Sequence, residues 1–144
     1  MTYTPLHVHS EYSLLDGLSK TSQIASRIKD IGATSCALTD HGTVSGAVDF
    51  VKTMKNNGLK PILGCEVYIC HGDSKDKTPN NRALFHQVIL AKNLEGWKVL
   101  LELVAMSNHP DRFYHKPRIS FYDISKVDTS NLITFSGHLG SYLA

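Results

Sequence analysis

Cysteine is scarce in this chain and follows no pairing pattern. Cys36, Cys65 and Cys70 are odd in number and contain no C-x-x-C pair, which argues against a disulfide framework or a thiolate metal site and fits reduced, packed thiols. Long apolar runs are missing too. None approaches the ~20 residues a membrane helix needs, and the opening MTYTPLHVHSEY lacks a basic-then-apolar leader, so a cytoplasmic protein with no membrane partner is expected. Charge of one sign is not in excess. The formal net charge of +2 is too small to claim nucleic-acid binding from bulk electrostatics. Internal repeats and low-complexity linkers are absent as well, and 144 residues fit one domain. What the chain does have is histidine, eight in all.

Residues 5–9 (PLHVH) alternate Leu6 and Val8 with His7 and His9, a period of two that predicts a strand with both imidazoles on one side. Ser19 or Thr21 is a candidate cap for a helix carrying Ile24, Ile28 and Ile31 and ending at Gly32. A short strand follows at 35–39, then a helix from Val44 through Met54 closed by Gly58. The apolar run 61–70 (PILGCEVYIC) holds a single carboxylate, Glu66. Residues 71–83 are polar and turn-rich. A strand at 86–91, a helix capped by Asn93, a basic aromatic loop at 108–119, a short helix near 121–125 and a strand at 132–136 complete the pattern. Strands alternating with helices predict an α/β fold with a mainly parallel sheet.

Ligand-type residues recur at the ends of these segments: His7 and His9, Asp40 and His41, Glu66, His86, His138. Imidazole with carboxylate suits Zn²⁺, Mn²⁺ or iron, and a carboxylate can bridge two ions. Each has a plainer explanation when taken singly. A strand His-x-His is often packed or exposed, Asp40 and Gly42 could simply shape a turn, and Glu66 could lie on a solvated face. Their joint recurrence is what favours a metal site, because a carboxylate inside an apolar strand is costly unless paired or metal-bound. So many contributing strands favour a barrel or part of one. Lys116 and Arg118 in FYHKPRI are candidates for phosphate contact. His71, His109 and His115 fall in predicted loops and are not expected to be ligands.

With these residues placed, the chain resembles the polymerase and histidinol phosphatase (PHP) superfamily. Within it, the resemblance is to the N-terminal domain of bacterial replicative DNA polymerase III alpha subunits. It is carried by HVHSEYSLLDGLSK (7–20), ALTDHGTVSGAVDF (37–50), KPILGCEVYI (60–69), HQVILAKNLEGWKVL (86–100), YHKPRI (114–119) and ITFSGHLG (133–140). The resemblance implies a distorted (βα)7 PHP barrel over residues 1–144 with two or three divalent ions, Zn, Mn or Fe, at the strand ends. Their ligands would be His7, His9, Asp16, His41, Glu66, His86 and His138. Glu66 would bridge two ions, and Asp40 and His41 join it as candidate catalytic residues. His138 stands where alpha subunits often carry a cysteine. The family's Asp-x-His pair occurs nowhere in this sequence, so the resemblance also implies a barrel truncated before its last strand.

The implied function is a metal-dependent phosphoesterase module, with 3′–5′ exonuclease proofreading in DNA replication as its role. Its substrate would be a DNA 3′ end, and its partner the remainder of the polymerase or other replisome proteins. Two alternatives stay open. One is a non-catalytic interaction module, motivated by the missing Asp-x-His pair. The other is a stand-alone phosphatase of the histidinol-phosphate type, although LLDG and KPRI point to the polymerase branch.

Overall fold

The computed structural model describes residues 3–137 and 139–142. The helix stops written in the sequence are used as such. Helix α1 (Thr21–Asp30) and helix α2 (Ala47–Asn56) are each followed by a glycine at positive φ, Gly32 at 69° and Gly58 at 70°. Beyond each glycine an N–H turns back into the helix end, Ala33 to the Ile28 carbonyl (3.0 Å) and Leu59 to that of Met54 (2.9 Å). These bonds satisfy carbonyls the helix would leave bare. The start of α1 differs from expectation. Lys20 is the N-cap, its N–H donating to Gln23 Oε1 (2.8 Å), and the Thr21 hydroxyl donates instead to Asp49 on α2. Helix α2 begins three residues after Val44. Helix α3 (Leu94–Asn108) starts as expected, with Asn93 accepting from the Gly96 N–H.

Strand β2 (Lys60–Cys70) is the spine of the sheet. Its first half runs parallel to β1 (Ser35–Leu38), with Leu63 opposite Leu38. Its second half pairs antiparallel with β3 (Leu84–Ala91), placing Val88 opposite Glu66 and His86 opposite Tyr68. A two-residue strand β4 (Ile119–Ser120) joins its far end in parallel, and β5 (Leu132–Phe135) pairs antiparallel with β3. The expectation of a mainly parallel sheet is therefore corrected to a mixed one. The physical reason lies in residues 71–83. Their only helical turn is the short 3-10 segment Pro79–Asn81, whereas parallel neighbours need a crossover, usually a helix. The described strands form this one five-stranded sheet, with order β1-β2-β3-β5 and β4 beside β2.

Residues 5–9 are extended but are not a ladder strand. Ala37 N–H donates to the Pro5 carbonyl and Thr39 N–H to that of Val8. The donors are two residues apart and the acceptors three, so the run carries one residue too many for regular pairing. Val8 N–H accordingly turns to the Thr39 hydroxyl (3.0 Å).

The period of two along β2 divides its work. Cys65, Val67 and Ile69 pack with Ile89, Leu100, Leu103, Val104 and Ile119 beneath α3. Cys36 and Leu38 of β1 pack with Ile24, Ile28, Phe50 and Met54 of α1 and α2. Burying each large aliphatic side chain is worth about 1.5–3 kcal/mol. Glu66 and Tyr68 take the opposite face, beside a smaller apolar floor of Ala37, Val88 and Leu90 with Phe135 against it. No helix among the described residues is long and apolar enough to cross a membrane.

The polar excursion is pinned from within by Arg118, which is fully buried. Its Nε donates to the carbonyls of Ser74 (3.0 Å) and Arg112 (3.1 Å), Nη1 to that of Asn81 (2.8 Å), and Nη2 to that of Asp76. The expected phosphate contact by Arg118 is thereby corrected: its guanidinium is spent on main chain. Nearby, Asp123 on the short helix α4 (Phe121–Ile124) accepts from the Ser74 hydroxyl (2.6 Å), from Ser120 N–H (2.9 Å) and from Arg112 Nη2 (3.2 Å). Burial raises its pKa, but these bonds outweigh burial and hold the carboxyl below its ordinary 3.8.

Arg118→Lys is expected to destabilise the fold by about 3 kcal/mol or more, because an ammonium cannot serve four separated carbonyls. Urea unfolding measures this. Asp123→Asn is expected to cost about 1–3 kcal/mol at neutral pH. A carboxyl whose folded pKa is depressed stabilises fully above its unfolded value and stops doing so as pH falls through the folded one. The Asp123→Asn deficit should therefore shrink below pH 3.8, a trend that unfolding at acid pH would show.

Candidate metal centre

Glu66 is wholly buried, yet its neighbours on the sheet face are rings rather than aliphatic chains. Its Oε2 is in contact with His7 Nε2 and lies 3.3 Å from His9 Nε2. Its Oε1 is in contact with His86 Nδ1 and lies 3.3 Å from His41 Nδ1. Each carboxylate oxygen thus meets a pair of imidazole nitrogens. The two groups, His7–His9–Glu66 and His41–Glu66–His86, have donor atoms within 4.8 Å of one another.

Three different local devices bring those rings together. His7 and His9 come from the irregular extended run beside β1. His41 bridges to Glu66 through main chain, with Glu66 N–H donating to the Asp40 carbonyl (3.1 Å) and Gly42 N–H to that of Glu66 (2.9 Å). The turn behind it requires glycine. Gly42 has φ 62°, and a Cβ there would stand 2.5 Å from Pro117. His86 arrives on β3 opposite Tyr68. Gly137 closes against the far side, where a Cβ would fall 2.6 Å from the His7 ring.

Other residues singled out by sequence take different places. Asp16 is exposed and stands at the rim, its Oδ2 2.9 Å from His41 Nε2; a carboxylate on the outer nitrogen is a common orienter of a ligating imidazole. Asp40 is not in the cluster. Its carboxylate accepts from Ser10 N–H (2.6 Å), the Ser10 hydroxyl (2.9 Å) and the Ser13 hydroxyl (2.8 Å), and Ser13 Oγ in turn accepts from His41 N–H (3.1 Å). It folds the loop that carries Asp16. Lys116 lies across an open groove of about 1270 Å³ that is also lined by Asp16, His41 and Tyr68. His138 lies outside the described residues.

Sequence reasoning overlooked Tyr68, whose ring stacks on His41 at 5.9 Å between centroids and meets His86 edge-on at 4.9 Å. Its position two residues after Glu66 was the available signal. Ser10 and Ser13 were also overlooked, and short hydroxyl residues carry no comparable mark.

Burial opposes charge on both Glu66 and His9, yet their mutual contacts prevail. Hydrogen bonds from His41, His9 and His86 hold the Glu66 carboxyl well below the usual range. The bond to Glu66, with its charge and that of Asp40, raises His9 above 6.5. The cluster nevertheless leaves His9 Nδ1 buried without a hydrogen bond, where such an atom normally finds a partner. Four imidazoles around one carboxylate, with an unspent nitrogen among them, fit a divalent metal. The thiols do not take part. Cys65 points to the opposite sheet face, and burial pushes it up to about 12.

Residues 5–144 match the PHP domain family. The DNA polymerase III subunit alpha of Helicobacter pylori is 45% identical over 118 residues, covering 82% of this chain and 10% of that protein. That of Chlamydia pneumoniae is 40% identical over 143 residues, covering 98% and 11%. The chain thus spans about a tenth of the length of these relatives. The solved structure of an amidohydrolase from Chromobacterium violaceum with bound sulfate shares the fold, with a TM-score of 0.53 and 23% identity over 72% of this chain and 32% of that one.

Glu66→Gln is expected to weaken divalent-metal binding at least ~10-fold and to remove at least one equivalent, since an amide has no charge to share between ions. Calorimetric titration with Mn²⁺ or Zn²⁺ reads both quantities. A ligand must be deprotonated to bind, and His9 titrates above 6.5. Metal affinity of the unaltered chain should therefore begin to fall, as pH is lowered, already above pH 6.5.

Proposed function

Since the chain belongs to the PHP domain family, we propose that it is the metal-dependent phosphoesterase module of a DNA polymerase III alpha subunit, acting as a 3′–5′ exonuclease on a mispaired DNA end. The observation that carries this reading is one buried carboxylate with a pair of imidazoles at each oxygen, at the edge of an open groove. Such a set would hold two divalent ions, the kind of paired centre that phosphoester hydrolysis uses. His7 and His9 with Glu66 would hold one ion, and His41 and His86 with Glu66 the other. Asp16 and His138 join this proposal as further ligands, which would allow a third.

Divalent metal bound there supplies charge for the phosphate oxygens and lowers the pKa of water toward ~7. The chain's own residues do the rest. Glu66 keeps both halves of the cluster at one spacing because it is locked on β2 between β3 and the main-chain bridge at His41. Asp40 holds the Ser10–Ser13 turn, and through Ser13 the His41 main chain, so it acts in this reading by positioning rather than by touching substrate.

The architecture agrees with a wall of the distorted (βα)7 barrel. Helices α1, α2 and α3 all cover one face of the sheet, while the imidazoles and Glu66 occupy the other. A cytoplasmic place in the replisome belongs to the same proposal, by analogy with the polymerase relatives.

The test is hydrolysis by the metal-loaded chain of a 3′-mispaired primer, a matched primer and a small phosphomonoester. Release of the mispaired 3′ nucleotide, lowered at least ~100-fold by His9→Ala, is the expected result. Preference for the phosphomonoester would instead identify a small-molecule phosphatase. Metal binding with no hydrolysis of any substrate would identify an interaction module.

A further inference from the structure

We infer that Tyr68 and Lys116 together form an anion seat beside the His41–His86 half of the cluster, receiving a phosphate oxygen of the substrate. This rests on the phosphoesterase reading above and adds to it the group that grips the phosphate.

Tyr68 follows Glu66 on the same face of β2, and its ring lies within 15° of parallel to that of His41. Only 5% of the residue is exposed, although it lines the groove together with Asp16, His41 and Lys116. Packing against two imidazoles therefore leaves the hydroxyl little freedom. Lys116 comes from the segment before β4. Its Nζ donates to the Tyr68 hydroxyl (3.3 Å) and stands 4.4 Å from the ring centroid, a placement favoured by the ring's negative face.

An ammonium has three donors, and a phenol has one donor besides its acceptor lone pairs. Lys116 uses a hydroxyl lone pair and keeps two N–H groups, while the phenolic proton remains able to donate. Two donors of one seat, one of them charged, thus flank the candidate metal ligands. A phosphate oxygen accepts from both, and charge-assisted bonds of this kind are among the stronger ones. Of the other cations in the same loop, Arg118 is buried under main-chain carbonyls and Arg112 pairs with Asp123. The outer groove wall is apolar, with Leu14, Leu15 and Phe113, so inorganic phosphate probes the seat without engaging that wall.

The test is calorimetric titration of inorganic phosphate into the Mn²⁺-loaded full chain, with bound metal measured in the same samples. Tyr68→Phe keeps the ring and its stacking and removes only the hydroxyl. It is expected to weaken phosphate about tenfold while metal content and thermal midpoint stay unchanged. Lys116→Met is expected to weaken phosphate at least as much. The double variant should lose less than the product of the two single losses, because the pair acts as a unit. Unchanged phosphate affinity in Tyr68→Phe would overturn the seat and leave the phosphoesterase reading standing. A wild-type chain that takes up no metal would overturn that reading, and the seat with it. A Tyr68→Phe loss accompanied by equal loss of metal would also overturn the seat, since the hydroxyl would then be supporting the cluster.

Discussion

A carboxylate buried in the middle of a β-strand is the constraint around which this molecule is arranged. Glu66 has no access to water, and an ionised carboxylate in such a place is costly unless charge or hydrogen bonds meet it. The chain meets it from three directions, with an irregular extended run, a turn bridged through main chain, and an antiparallel neighbour. Each brings an imidazole nitrogen to a carboxylate oxygen. Because the side-chain period of a strand is two, β2 commits Cys65, Val67 and Ile69 to the helices while Glu66 and Tyr68 face the cluster. Fold stability and chemistry therefore depend on the same eleven residues.

Buried polar groups outside the cluster serve its rigidity. Asp40 is surrounded by Ser10 and Ser13 hydroxyls and holds the loop that presents Asp16. Arg118 draws four carbonyls inward, tying the 71–83 excursion to the segment that carries Lys116. In a protein of this size few apolar contacts are available to order long loops, and each satisfied buried polar network replaces some of them. The groove lips are thus held by hydrogen bonds, whereas the sheet behind them is held by packing.

Parts of this arrangement were legible before any fold was known. Gly32 and Gly58 marked helix ends because only a residue without Cβ takes positive φ freely, and Asn93 marked a helix start because its side chain can accept from the first turn. Both signals are local. His7, His9, His41, Glu66 and His86 were legible because imidazoles and a carboxylate at successive segment ends have few other uses. The strand direction of β3 was misjudged, since alternation of helices and strands says nothing about a connection that lacks a helix. The role of Arg118 was not legible for a related reason: a charged residue beside a site looks the same in sequence whether it faces the groove or the main chain.

By itself, then, the amino-acid order determined which segments would be helical, where α1 and α2 stop, which family motifs the chain carries and which side chains suit a metal. These follow from spacing and from the chemistry of single residues. Only the tertiary structure decided that β3 runs antiparallel, that Asp40 and Arg118 are spent on scaffolding, and that Tyr68 and Lys116 meet across the groove. Those outcomes depend on which partners reach a polar atom first once water is excluded, and residues 48 apart in the chain have no local signal of that encounter.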